Sequence, residues 1–153
     1  MNVVHLSRFI NIILLITINH ILLANDKVDN KKELAIHYFM QGEFLLNQGN
    51  YALAVLEFQD ALDIDPNAST IHISIADAYR RLGRSKHAEN HLQIAIDLDP
   101  EELSSREMLG HLYLINRRYK EAEKEFLVLS NLDAFNDNYI VTLADLAKLQ
   151  EEW

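Results

Sequence analysis

The stretch that decides the fold is "ALDIDP", residues 61–66, because the chain returns to it twice. It recurs as "AIDLDP" at residues 95–100 and, without the proline, as "LSNLDA" at residues 129–134. The three copies are evenly spaced, and the same interval separates Gly49 from Gly83. A period of about 20–50 residues is the signature of a protein built from stacked units. The sequence therefore predicts an array of repeats of equal length.

Each unit contains two helical runs with a short turn between them. In the first unit, apolar residues recur at spacings of three and four on both sides of "NQGNY", residues 47–51. Such spacing marks one face of a helix. The second and third units carry "RLGRS", residues 81–85, and "INRRY", residues 115–119, at the same place. A glycine in these turns can end a helix in the left-handed conformation, so we predict helix, tight turn, helix in each unit.

Two columns of small residues repeat with the same period. They are Gly42, Ala76 and Gly110 on the first helices and Ala54, Ala88 and Ala122 on the second helices. Two antiparallel helices approach to the close end of the range of about 8–10 Å only when small side chains meet at the crossing. We therefore predict that these columns lie where the two helices of a unit cross.

The combined pattern resembles the tetratricopeptide repeat family over about residues 35–136. The residues that carry the resemblance are Tyr38, Gly42, Gly49, Tyr51, Ala54, Phe58, Ala61 and Pro66 in the first unit, Ala76, Tyr79, Gly83, Ala88, Leu92, Ala95 and Pro100 in the second, and Gly110, Tyr113, Tyr119, Ala122 and Phe126 in the third. The resemblance implies an all-α solenoid of antiparallel helix pairs wound into a right-handed superhelix. It places the repeats at residues 35–68, 69–102 and 103–136.

The third unit departs from the family pattern. Arg117 stands where the turn glycine is usual, and Ala134 stands where the first two units have a proline. Ser85 and Leu129 are further departures. We expect a looser junction after the third unit. Residues 137–153 read as one more helix, a terminal cap with a solvated outer side. Its predicted packing face consists of Ile140, Leu143, Ala144 and Ala147.

The N-terminal residues differ from the repeats. Residues 9–23 read "FINIILLITINHILL", Arg8 precedes them, and no acidic residue occurs before Asp26. A basic start followed by an apolar run is typical of a secretory signal, with Ala24 as the cleavage residue. The alternatives are an uncleaved membrane anchor and a buried helix. A cleaved signal predicts export to the periplasm or out of the cell, and an uncleaved segment predicts a membrane anchor at residues 9–23. In both cases this segment makes the only expected membrane contact.

Residues 25–34 are interpreted as a linker that leads into the first helix. "NKKE", residues 30–33, has the form of a capping box, in which the first residue would precede the helix and the fourth would lie in its first turn.

Composition excludes several functional classes. The net charge is −9, which disfavours nucleic acid, because its binding needs clustered Lys and Arg. The chain has no cysteine, so disulfides, zinc–thiolate sites and cysteine nucleophiles are absent. All four glycines are placed by the repeats, which leaves none for a phosphate-binding loop. We expect no enzymatic activity and no cofactor.

The best candidate for a metal site is "HAENH", with His87 and His91 four residues apart on one helix. This spacing can direct two imidazoles to one metal ion, but a zinc site also needs a third protein ligand. Two solvated histidines on an outer helix face are the favoured interpretation, and no metal is expected.

In the resembling family, the stacked first helices line a concave groove that binds a peptide or a partner helix. By resemblance, the lining here consists of Ile36, Phe39, Glu43, Leu46 and Asn47 from the first unit, Thr70, Ile73, Asp77, Arg80 and Arg81 from the second, and Ser104, Glu107, His111, Leu114 and Ile115 from the third. The aliphatic members could instead be partly packed between units.

The groove is predicted to prefer a protein partner with apolar and basic residues. Phe39 offers apolar contact, while Glu43, Asp77 and Glu107 favour Lys or Arg on the partner. Family members that grip a C-terminal carboxylate use Lys, Asn and Arg at set positions, which here hold Phe39, Glu43, Ser74 and Asp77. An acidic lining repels a carboxylate, so no such clamp is expected.

The sequence thus predicts a non-enzymatic adaptor or scaffold that binds a protein partner. The alternative is an N-terminal fragment or a regulatory repeat module of a larger enzyme or of a secretion or assembly machine. Repeat sequence predicts architecture better than it predicts a partner, because function lies in the site.

Overall fold

The computed structural model describes residues 28–151, and side chains within 28–149. The described chain is all-α and contains seven helices and no strand. The helices are α1 (28–47), α2 (Tyr51–Ile64), α3 (Ser69–Arg81), α4 (Ser85–Leu98), α5 (Leu103–Ile115), α6 (Tyr119–Leu132) and α7 (Asp137–Glu151). The predicted signal or anchor, residues 1–24, lies outside the described residues.

The helices form a solenoid, as the sequence predicts. From α2 to α7, consecutive helices pack on one another, and α3 also touches α5. One continuous core runs through the stack and includes Phe58, Ile75, Leu92 and Leu109, all fully buried. None of the helices within residues 28–151 combines the length and the apolar character that a membrane crossing needs.

The small residues lie at helix crossings, which confirms the prediction made from their period. A Cβ atom built on Gly42 would stand 2.5 Å from two ring carbons of Phe58, and one on Gly110 would stand 2.9 Å from the ring of Phe126. The small column on the second helices is equally enclosed, since Ala54, Ala88 and Ala122 have no exposed surface. Each crossing is therefore as close as its side chains permit.

The turn inside each helix pair is the same hydrogen-bonded motif. In the first pair, the Gly49 amide donates to the Leu46 carbonyl at 3.1 Å and the Asn50 amide to the Leu45 carbonyl at 2.9 Å. The second and third turns repeat both bonds. This is the Schellman ending of a helix, which needs one residue in the left-handed conformation. Arg117 takes that role in the third pair, with φ of 58°.

The junctions between pairs are also alike, and the expected looseness of the third junction is wrong. The Asp133 amide bonds to the Leu129 carbonyl at 2.9 Å, and the Asn136 amide bonds to the Asp133 carbonyl at 3.3 Å. The junction at Asp99 has the same two bonds at 2.9 and 3.3 Å. The aspartate ends each helix and its carbonyl closes the turn, so the geometry does not depend on the proline that follows Asp99.

A polar network joins the second pair to the third. The Tyr113 hydroxyl donates to Glu89 Oε1 at 3.0 Å, and Arg118 Nη1 donates to Glu89 Oε2 at 2.7 Å. The Arg118 guanidinium also lies 4.4 Å from the centroid of the Tyr113 ring. Burial, with the Glu89 carboxylate as acceptor, raises the pKa of Tyr113 to about 12, so the phenol stays protonated and keeps donating.

Two local predictions at the ends of the array are wrong. Residues 28–47 are helical, so Asn30 lies inside α1 and does not precede it as the cap. On α7, Tyr139 and Leu146 are buried, while Ile140 is 56% exposed. Ala144 and Ala147 are also exposed, and Leu143 alone of the predicted face is partly buried. An apolar stripe on one helix does not identify its neighbour, and α7 packs on α6 through the adjacent face.

Replacing Gly42 by alanine tests the close crossing. Alanine favours a helix by about 1 kcal/mol over glycine, but the added methyl must displace the buried Phe58 ring. We therefore expect Gly42→Ala to lower the free energy of unfolding by roughly 1–3 kcal/mol in urea denaturation. Gln41→Ala, an exposed neighbour on the same helix, should lower it little. A Gly42→Ala protein as stable as the wild type would show that the crossing is not tight.

The left-handed Arg117 yields a second prediction. A side chain in this conformation costs roughly 1–2 kcal/mol. Glycine removes this strain but makes the unfolded chain more flexible, which offsets part of the gain. Arg117→Gly should raise the free energy of unfolding by about 1 kcal/mol, measured by the same denaturation. Gly83→Arg is the matched reverse change, since nothing lies within 4 Å of a Cβ at Gly83, and it should lower stability. The strain argument fails if Arg117→Gly destabilises the chain.

Candidate functional site

The candidate site is a groove along the first helices of the pairs, and one of its cavities lies between α3 and α5. The cavity has a volume of about 530 Å³. Its lining consists of Arg80, Ser104, Glu107, Met108, His111, Leu114 and Ile115. All of these except Met108 are residues that the sequence placed in the groove. Ile115 is 68% exposed, which makes it an apolar contact open to a partner.

A second cavity lies at the α1 end of the groove, where α1 meets the end of α2 and the start of α3. Its volume is about 490 Å³. Phe39 is half-buried here, with its ring centroid 5.8 Å from that of Phe58. The lining is mostly apolar, with two lysines and an aspartate among it: Val28, Lys31, Lys32, Ala35, Ile36, Phe39, Ile64, Asp65, Ala68, Thr70 and Ile71.

The charges between these cavities are largely compensated within the chain. Asp77 Oδ1 accepts from Arg80 Nε at 3.0 Å, and its Oδ2 accepts from Arg81 Nε at 2.8 Å. The guanidinium of Arg81 also lies 5.7 Å from the centroid of the Tyr51 ring. Asp77 is therefore already paired with two arginines one turn away on the same helix. The expectation that Asp77 attracts a basic partner is not supported by this arrangement.

Other predicted groove residues divide between exposed and structural positions. Glu43 Oε1 accepts from Ser74 Oγ at 2.6 Å, which ties α1 to α3 across the groove. Asn47 is exposed and Ile73 is half-buried. Leu46 differs from its prediction, because it is only 8% exposed and belongs to the core. Leu46 therefore packs in the core beneath the groove residues and has little exposed surface for a ligand to contact.

The histidines are arranged differently from the predicted pair on one helix. His91 Nδ1 lies 3.0 Å from Nδ1 of His72 on α3, so the hydrogen bond joins the two helices of the second pair. His87 is exposed, and its ring centroid lies 4.9 Å from that of Tyr79. Within the described part of the chain, no group of three or more metal-ligating side chains converges. The solvated interpretation holds for His87 and is wrong for His91, which packs against α3.

The His72–His91 contact constrains protonation. One nitrogen must carry the proton and the other must offer its lone pair, so the bond is lost when both rings are charged. Burial, together with the neighbouring His72 and His87, lowers the pKa of His91 to about 4. Burial also lowers the pKa of His72, against a hydrogen bond to the Pro66 backbone. Both rings are therefore neutral in the folded chain at neutral pH.

Sequence reasoning missed this pair, although the period contained a signal for it. One repeat period takes His72 to Arg106 and His91 to Glu125. In the third pair these two residues form an ion pair, with 3.3 Å between Arg106 Nη1 and Glu125 Oε2. These two equivalent positions thus form a polar contact between the two helices of the pair in both the second and the third unit. Comparing the columns across helices, rather than along one helix, would have paired the histidines.

The groove lining that sequence reasoning missed also follows the period. Met108, which lines the cavity between α3 and α5, lies one repeat period after Ser74 and two after Met40. Met40 is 65% exposed. Lys31 and Lys32 at the α1 end could not be found in this way, because they precede the first predicted unit.

Comparisons with known proteins agree with this architecture. A sequence profile described as tetratricopeptide repeat matches residues 22–69 and 73–136. Among curated proteins, Protein O-mannosyl-transferase F38B6.6 of Caenorhabditis elegans is 37% identical over 91 residues, which are 60% of this chain and 13% of that protein. DnaJ homolog subfamily C member 3 of Rattus norvegicus is 34% identical over 85 residues, 56% of this chain and 17% of that protein. The chain thus spans under a fifth of either relative.

A solved structure shows the same fold. The first tetratricopeptide repeat domain of Spaghetti (RPAP3), bound to the HSP90 peptide SRMEEVD, superposes with a TM-score of 0.72 at 21% identity. The superposition covers 78% of this chain and 95% of that domain.

The buried histidine pair predicts a loss of stability in acid. The folded pKa of His91, about 4, lies below the ordinary value of 6.5, so the unfolded chain binds more protons between these values. The contribution is complete above pH 6.5 and is lost as the pH falls toward 4. After allowance for solvent screening, we expect it to be about 1–2 kcal/mol.

The measurement is the free energy of unfolding by urea between pH 7.5 and 4.5. The wild-type chain should lose more stability over this range than His91→Leu. His37→Leu replaces an exposed histidine and should keep the wild-type slope. Because the carboxylates titrate alike in all three proteins, equal slopes for the wild type and His91→Leu would contradict the role of the pair.

Proposed function

Since the chain belongs to the tetratricopeptide repeat family, we propose that it is a non-enzymatic adaptor that binds a peptide or a helix of a partner protein. The observation that carries this proposal is the cavity of about 530 Å³ between α3 and α5, with Ile115 exposed at its edge. The peptide-bound domain of Spaghetti (RPAP3) supports peptide binding by this fold. Exposed apolar anchors of this kind dominate the energy of many interfaces.

We propose that the partner combines apolar side chains with a Lys or Arg. Two cavities along one groove fit two apolar anchors, one near Phe39 and one near Leu114. Glu107 lines the cavity between α3 and α5 and forms no ion pair among the described residues. Glu107 is therefore available to a basic residue, as is Glu43, which accepts from the neutral Ser74 hydroxyl, whereas Asp77 is already paired. The partner chemistry differs from that of the acidic SRMEEVD peptide.

The finer architecture belongs to the same proposal. We assign the repeats to residues 35–68, 69–102 and 103–136, wound as a right-handed superhelix, and residues 137–153 to a terminal helix that closes the array. Residues 1–24 are proposed as an export signal or membrane anchor, on the basis of the apolar run at 9–23. Under this proposal the groove operates outside the cytoplasm or at a membrane surface.

A repeat module within a larger protein or machine is the second candidate function. The observation that favours it is the partial coverage of the two curated relatives, 13% and 17% of their lengths. In such a protein the groove would recruit a partner to another domain.

The groove proposal predicts a position-specific loss of partner capture. Ile115→Asp places a charge at the edge of the cavity and should weaken capture of the native partner by about tenfold or more. Leu56→Asp is the matched control, since Leu56 is an exposed aliphatic residue on α2, 56% exposed. Both variants should keep the wild-type helicity by circular dichroism, because both side chains are exposed.

The experiment uses a photo-crosslinking residue at position 115 or 56 in the native cell, followed by quantitative capture with each aspartate variant. A partner that is crosslinked from position 115 but not from position 56, and that Ile115→Asp captures less than Leu56→Asp does, supports the groove. Equal crosslinking from both positions, or equal loss in both variants, would mean that the groove is not the binding surface.

The export proposal predicts the N-terminus of the native protein. Sequencing should begin at Asn25 if the signal is cleaved after Ala24, and at Met1 in the membrane fraction if the segment is an anchor. A soluble cytoplasmic protein that begins at Met1 would contradict both the signal and the anchor. The mass of the same purified material separates a free adaptor from a module, because a module is part of a polypeptide longer than 153 residues.

A further inference from the structure

One face of α7 is built like a packed face inside the array but stays open. It contains Ile140, Ala144 and Ala147, which lie one repeat period after Arg106, Gly110 and Tyr113 of α5. On α5 this face receives the second helix of the same pair, since Gly110 meets the ring of Phe126 and Arg106 bonds to Glu125. The face on α7 is thus the next member of a helix-pairing surface that the array uses three times.

The open face is apolar and small at its centre. Ile140 is 56% exposed, and Ala144 and Ala147 are exposed as well. The residues that hold α7 to α6 lie on the adjacent face, where Tyr139 is 3% exposed and Leu146 is 1% exposed. A helix docked on the open face would therefore leave the attachment of α7 intact.

We propose that the open face of α7 pairs with the same face of a second copy of this chain, in antiparallel orientation across a two-fold axis. The face is self-complementary in that arrangement. With the two Ala144 residues facing each other at the axis, Ile140 of one copy lies opposite Ala147 of the other. Small residues at the centre permit the close approach that the internal pairs show, and a two-fold contact uses one surface twice.

The charges on α7 select the antiparallel orientation. Asp137 lies in the first turn and Lys148 in the last, so antiparallel pairing brings the Asp137 of each copy toward the Lys148 of the other. Lys148 Nζ lies 3.2 Å from Asp145 Oδ1 within its own helix, and both side chains are well exposed. A parallel pair would instead bring Asp137 to Asp137 and align the two helix dipoles, which is unfavourable.

This pairing is independent of the groove, and cysteine crosslinking of the full chain tests it. The chain has no cysteine of its own, so a single introduced thiol reports one contact. At the axis of the proposed dimer, two Ala144→Cys residues come within the Cα separation of about 7 Å that a disulfide requires. Asp145→Cys, one residue further along and on the polar side, is the matched control. Both proteins are oxidised under the same conditions and separated without reductant.

We expect a disulfide-linked dimer for Ala144→Cys and roughly tenfold less for Asp145→Cys. In sedimentation equilibrium, the full wild-type chain should associate to a dimer, and Ile140→Lys should weaken the association by about tenfold or more without changing the helicity measured by circular dichroism. The comparison of adjacent cysteines separates this contact from association through residues 9–23. Equal crosslinking at the two positions, or an Ile140→Lys protein that dimerises like the wild type, overturns the proposal.

Discussion

The close crossing of the two helices in each pair is the constraint on which the array depends. In the outer pairs a glycine lies beneath a phenylalanine ring, Gly42 under Phe58 and Gly110 under Phe126. The middle pair has Ala76 and Leu92 at the equivalent positions, both without exposed surface. Compared with the outer pairs, the middle pair has alanine in place of glycine on its first helix and leucine in place of phenylalanine on its second. The summed volume is nearly conserved, as tightly packed interiors require, so the three pairs keep one geometry with two different solutions.

Function follows from that geometry. Because the pairs are alike and contacts run between neighbours, the first helices align along one side and leave the two cavities between them. The stacked-repeat principle makes stability a sum of local terms, so the groove can vary its surface residues without loss of the fold. This separation explains why Ile115 can stay 68% exposed while Leu109, earlier on the same helix, is fully buried.

The repeat period predicted the features that recur in every unit. It did not predict features that depend on which helix packs against which. The turns, the junction aspartates and the small columns were predictable, because each copy confirms the others. The face of α7 that stays exposed could not be predicted. This helix has apolar residues on two adjacent faces, and only the position of α6 decides which of them is buried. Leu46 was placed in the groove by analogy, but the structure turns it into the core. The His72–His91 bond joins two different helices, and a search for ligands along one helix overlooks a partner on the next.

The histidine pair makes the middle of the array sensitive to acid. Solenoids ordinarily open from their ends, where each unit has one neighbour instead of two. Here the polar contact between the helices of the middle pair is made by two neutral rings, while the same contact in the third pair is made by Arg106 and Glu125. Acid therefore weakens the contact between the two helices of the middle pair. The two cavities of the groove share α3, so loosening that single helix would change the shape of both cavities together.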